Sequence, residues 1–108
     1  MRVVAIVFAC TLVTVPVGAC ARGAVREVQG VRIREDDRGL WAKATFPADS
    51  AVKLVLARVP GGRITEAELE EGKGRLVYSF DVKAEGRKDS EIRVDARTGE
   101  VVEVADDD

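Results

Sequence analysis

Glu66, Glu68 and Glu70 stand at alternate positions in the stretch Thr65–Glu71, so on an extended chain the three carboxylates point to one side. Two acids about 5–9 Å apart around a cleft are the apparatus of glycoside hydrolysis, and one of them must be desolvated enough to hold a proton near neutral pH. An open strand face offers no such desolvation. The hexapeptide Asp95-Ala96-Arg97-Thr98-Gly99-Glu100 carries the Thr-Gly of an aspartic protease, but Arg97 stands where the catalytic aspartate belongs, and the sequence holds no second copy. Its residue types suit a turn instead. Asp95 and Thr98 can bond the local backbone, and Gly99 can adopt a positive φ. The chain has no histidine, which removes Ser-His-Asp and Cys-His nucleophile activation, HExxH metal chemistry and imidazole ligation. Neither catalytic residues nor a cofactor or metal is expected.

Both cysteines, Cys10 and Cys20, fall in the first twenty residues, which have the order of an export signal. Arg2 is followed by the apolar run Val3 to Val17 and then by Gly18, Ala19, Cys20 and Ala21. The run is shorter than the roughly 20 residues a bilayer core requires. Two cleavages are compatible with it. Ala19-Cys20-Ala21 fits a small-x-small site that releases a soluble protein, and Val17-Gly18-Ala19-Cys20 resembles a bacterial lipoprotein box in which Cys20 receives the lipid. Several acyl chains on one residue anchor stably where a single chain does not. Localisation is therefore expected to be periplasmic, membrane-anchored through Cys20, or secreted.

The whole chain has 108 residues and a net charge of −2, which becomes −3 when Arg2 leaves with the leader. Acids and bases are interspersed and aromatics are 5%, so neither the basic face nor the aromatic platform of a nucleic-acid binder is present. Trp41 suits a packing anchor better than a ligand-stacking platform.

Periodicity supplies the elements that position these groups. Pro47 to Val59 predicts a helix with Ala48, Val52, Val55, Leu56 and Val59 on one face, Pro47 and Asp49 in its first turn, and Pro60-Gly61-Gly62 as its stop. Four strands are expected after it: Thr65–Glu71, Arg75–Lys83, Glu91–Ala96 and Val101–Val104, separated by Gly-bearing turns. Leu76, Tyr78, Phe80 and Val82 should face the helix. Glu91, Arg93 and Asp95 should face away from it, with Glu66, Glu68 and Glu70. The organisation expected is a leader over 1–21, an extended N-terminal segment over 22–39, a domain over 40–105 and an acidic tail over 106–108. The fold class is α+β, one α-helix packed on a three- to four-stranded antiparallel sheet whose other face meets solvent.

Ala57-Arg58-Val59-Pro60-Gly61-Gly62, Ala67-Glu68-Leu69-Glu70, Leu76-Val77-Tyr78-Ser79-Phe80-Asp81-Val82 and Val94-Asp95-Ala96-Arg97-Thr98-Gly99-Glu100-Val101, in that order and spacing, resemble the PepSY domain family over about residues 40–104. The resemblance implies a small helix-on-antiparallel-sheet fold found in exported bacterial proteins and in propeptides of secreted metallopeptidases, where it restrains a protease or binds peptides. It assigns no catalytic residues. The expected function is thus a non-catalytic binding module of the cell envelope. Its partner is an envelope protein, protease or peptide, and its partner face is formed by Glu66, Glu68, Glu70, Arg75, Lys83 and Arg93. The alternatives are a structural lipoprotein without a defined ligand and, last, a small enzyme.

Overall fold

The computed structural model describes residues 23–107; the leader and the lipidation candidate Cys20 lie outside the described residues. The elements are β1 (Val25–Val28), β2 (Val31–Glu35), a 3-10 turn (Trp41–Lys43), α1 (Ala48–Arg58), β3 (Arg63–Gly72), β4 (Arg75–Lys83), β5 (Asp89–Asp95) and β6 (Val101–Asp107). All six strands form one sheet in sequential order. The expected three- to four-stranded sheet is therefore too small, because the segment read as an extended arm folds into the β1–β2 hairpin and joins it. Gln29 and Gly30 make the turn with φ of 51° and 79°, the double positive φ that matches strand twist in a two-residue hairpin. A glutamine at the first of these positions is not a standard turn signal, and the strands beside it are short.

β2 pairs parallel to β3, with Ile33 opposite Ala67 and Glu35 opposite Leu69; the other neighbouring pairs are antiparallel. A parallel pair cannot be closed by a tight turn. Residues 36–62 make the crossover and lay α1 on one face of the sheet. Pro47 is the N-cap rather than the first helical residue, with extended ψ of 137°. The Gln29 side-chain amide donates to the Asp49 carboxylate, so the β1–β2 turn is tied to the first turn of α1.

The strand periodicity places the core as expected. Leu76, Tyr78, Phe80 and Val82 are at most 1% exposed, as are Leu69, Ile92, Val94 and Ile33 on neighbouring strands. Burying one such side chain is worth about 1.5–3 kcal/mol. On α1 the buried residues are Ala51, Val52 and Val55. Ala48, Leu56 and Val59 of the expected stripe are only half-buried at its rim, because the sheet contacts one side of that stripe.

Glu35 also faces the helix layer and is buried. Its carboxylate accepts the backbone N–H of Ala24 at 2.7 Å and of Trp41 at 3.0 Å. Burial pushes its pKa up, but those two N–H groups, that of Leu40 and the charge of Arg26 outweigh it, and the net pKa is lowered. The indole of Trp41 closes the same loop, donating from Nε1 to the Ala24 carbonyl at 3.0 Å. Its ring lies 4.4 Å beneath the Arg26 guanidinium and 6.3 Å from the Tyr78 ring. Trp41 is an anchor that fastens β1 to the core.

Candidate functional site on the outer sheet face

The register of β3–β6 sorts the side chains of the face opposite α1 into rows. Glu66, Asp81 and Glu91 are aligned in one row, and Glu68, Ser79, Arg93 and Glu103 in the next. Glu70, Val77 and Asp95 form a third. On a flat sheet Glu70 and Arg93 would be two strands and one row apart. Here Arg93 Nη1 lies 2.9 Å from Glu70 Oε2, 3.5 Å separates its Nη2 from Glu91, and 3.4 Å separates its Nε from Glu103. One guanidinium thus answers three carboxylates.

These side chains lie across the face and cover it. Val77 and Ser79, on the outward side of β4, are 5% and 9% exposed, and the Ser79 hydroxyl donates to Glu91 Oε2 at 2.8 Å. The outer face is therefore not the uniformly solvated surface expected. It is a trough of about 830 Å³ lined among others by Glu70, Arg75, Val77, Arg93, Val102 and Glu103. A smaller concavity of about 240 Å³ lies between Arg32 and Arg34 of β2 and Glu66 and Glu68 of β3.

The row Glu66–Asp81–Glu91 sets three acids side by side, an arrangement that costs stability in a sheet. Among the described residues neither Glu66 nor Asp81 forms an ion pair. Burial, hydrogen bonding with Glu66 and the neighbouring charge of Glu91 push the Asp81 carboxyl above the usual carboxylate range. Burial likewise raises Glu70, against the opposing pull of Arg93. Among the described residues no group of three or more acids or cysteines is disposed to hold a metal ion.

The six residues expected to form a partner face do not act as one cluster. Glu70, Arg75 and Arg93 line the trough. Glu66 and Glu68 line the smaller concavity. Lys83 pairs with Asp89 at 2.8 Å at the far end of the strands. Between these glutamates and bases the pair Glu70–Arg93 forms, and Arg75 approaches Asp95 at 3.5 Å. The turn that follows behaves as its residue types imply. Asp95 Oδ1 accepts from the N–H groups of Arg97 and Thr98 at 2.7 and 3.0 Å, and Thr98 Oγ1 accepts from Glu100 N at 3.2 Å.

A family model described as "Peptidase propeptide and YPEB domain", PepSY, matches residues 47–105. The chain belongs to the PepSY family. The chain is also similar to the uncharacterized membrane protein YkoI of Bacillus subtilis (strain 168), with 32% identity over 56 residues, 52% of this chain. The matched part spans 25% of that relative. No solved structure matches the chain significantly. Among the described residues no helix is long and apolar enough to cross a membrane.

The PepSY match takes in α1, β3, β4, β5 and most of β6, and with them Glu66, Glu68, Glu70, Arg75, Lys83 and Arg93. The β1–β2 hairpin, Glu35 and Trp41 precede the matched span. Sequence reasoning left Asp81 and Glu103 out of the candidate partner residues. Asp81 was legible as an outward position of β4. Glu103 was not, since a register irregularity near Arg93 and Val94 shifts β6.

Proposed function

We propose that this PepSY chain is a non-catalytic module, exported to the bacterial cell envelope, that holds a peptide or a segment of a protein against its outer sheet face. A peptidase is the foremost candidate partner. The observation that carries this reading is Arg93 held among Glu70, Glu91 and Glu103 over the buried floor of Val77 and Ser79. A partner segment in the trough exchanges ion pairs that already exist and covers the partly exposed Val102 with its apolar atoms. It does not have to desolvate an isolated charge, which is costly. The family's description as a peptidase propeptide domain supports the same reading. Attachment through a lipidated Cys20, or release as a soluble protein, is part of the proposal.

The test combines inhibition and pull-down of envelope and secreted peptidases by the purified protein with thermal shift against peptide pools. A partner present at a hundred times its Kd stabilises by about 2.7 kcal/mol, and Arg93→Ala should remove most of that shift. Failure of every peptidase and peptide to shift the melting temperature or to be inhibited sinks the reading. Intact mass of the membrane fraction decides between acylated Cys20 and a plain cleaved start.

A further inference from the structure

β6 closes one side of the sheet, and among the described residues no strand pairs with its outer edge. It is seven residues long, so it offers a row of backbone N–H and C=O groups about 23 Å long. Two further features set this edge apart. Val104, on the helix side of the sheet opposite Ile92, is 50% exposed and is the exposed large hydrophobic residue of the described chain. Glu103 and Asp106 flank it and are both exposed. Glu103 shares Arg93 with two other carboxylates, and Asp106 Oδ1 accepts a long hydrogen bond from the Ser90 hydroxyl at 3.4 Å.

The opposite edge lacks this combination. β1 has four residues, and its cation Arg26 is already engaged over Trp41. The acids of β6 disfavour pairing with a second copy of itself, because like charges then face one another.

We propose that the free edge of β6 takes an extended basic peptide segment as an added antiparallel strand. Main-chain hydrogen bonds supply the affinity in this mode of recognition, and alternate side chains supply the specificity. The register dictates the pattern. Opposite Asp106, Ala105, Val104 and Glu103, in that order, the segment presents a basic residue, any residue, an apolar residue and a basic residue. The first and third of these lie on the helix side, with Asp106 and Val104. The second and fourth lie on the outer side, with Ala105 and Glu103. The apolar residue covers the exposed half of Val104, and each basic residue meets an acid directly across. The inference rests on the binding-module reading but not on the trough.

The probe is a terminally blocked hexapeptide, threonine–lysine–threonine–valine–lysine–threonine, titrated into the isotopically labelled full-length protein at low salt. Saturable amide shifts should concentrate on residues 101–107. Replacing both lysines of the peptide by glutamate should weaken binding at least tenfold. N-methylation of alternate peptide amides should do the same in one of the two alternations and have little effect in the other. Val104→Lys should weaken binding at least tenfold while the melting temperature holds, and Val104→Leu should retain it. No saturable shift, equal loss in both methylation patterns, or dimerisation through β6 without peptide overturns the proposal. Shifts mapping to Arg93 and the trough also overturn it but leave the binding-module reading standing, whereas loss of all peptidase and peptide binding removes that reading itself.

Discussion

Arg93 on β5 reaches Glu70 on β3, two strands away, at 2.9 Å. The contact crosses over β4, so the side chains of the outer face lie along the sheet and shelter Val77 and Ser79 rather than standing out into water. A long guanidinium can cover apolar surface with its stem while its head stays paired. This makes the centre of the outer face both a structural brace and a surface open to exchange.

Replacing Arg93 by alanine removes that brace and leaves Glu70, Glu91 and Glu103 without their shared cation. The expected loss is about 1–2 kcal/mol, part packing and part ion pairing. Urea unfolding at low and high salt checks it. Mutual repulsion of the three acids should make the variant more salt-responsive than the parent, and an unchanged salt response would contradict the shared-cation account.

Glu35→Ala should be costlier. Its carboxylate satisfies the N–H groups of Ala24 and Trp41, and orphaned buried donors cost about 1–3 kcal/mol each, so a loss of about 2–4 kcal/mol is expected. Glu35→Gln keeps one acceptor oxygen and should lose roughly half as much. Hydrogen exchange should show β1 opening before β3–β5. Uniform loss of protection across the sheet would mean that the hairpin is not fastened through this residue.

The pH dependence of stability has two parts of opposite sign. Asp81 has a raised pKa in the fold, so the folded state binds its proton more tightly than the unfolded chain, and stability rises as pH falls through the range just above ordinary carboxylate values. Glu35 and Asp95 have lowered pKa values. Their contribution is complete above the unfolded carboxylate pKa and is lost as pH falls through their folded values. The melting temperature should pass through a maximum in mild acid. Asp81→Asn should raise it at neutral pH by a few degrees, from relief of cross-strand repulsion of roughly 0.2–1 kcal/mol, and should flatten the mild-acid rise. A variant less stable than the parent at neutral pH would refute the acid-row account.

Gly99 has φ of 84°, and a Cβ there would collide with the Phe46 ring. Gly99→Ala therefore meets strain and overlap together and should lose about 1–3 kcal/mol. Gly72→Ala, where a Cβ meets open space and φ is not positive, should stay within about 0.5 kcal/mol of the parent. Thermal unfolding of the two variants side by side gives the comparison.

Periodicity in the sequence was enough to locate α1, the four strands after it and the inward set Leu76, Tyr78, Phe80 and Val82, because side-chain alternation is a local property of an extended chain. Turn chemistry was likewise local: Asp95, Thr98 and Gly99 act within one tight loop. Family membership was legible from the ordered motifs between Ala57 and Val101. The rest depended on contacts between residues distant in sequence. Val25–Val28 becomes a strand because Glu35 and Trp41 hold Ala24, and β2 runs parallel to β3 because a crossover brings Ile33 beside Ala67. Which acid meets which base was also decided in three dimensions. Arg93 takes Glu70 across an intervening strand while Lys83 turns to Asp89, since ion pairing follows the distances the folded sheet creates, and spacing along the chain does not encode them.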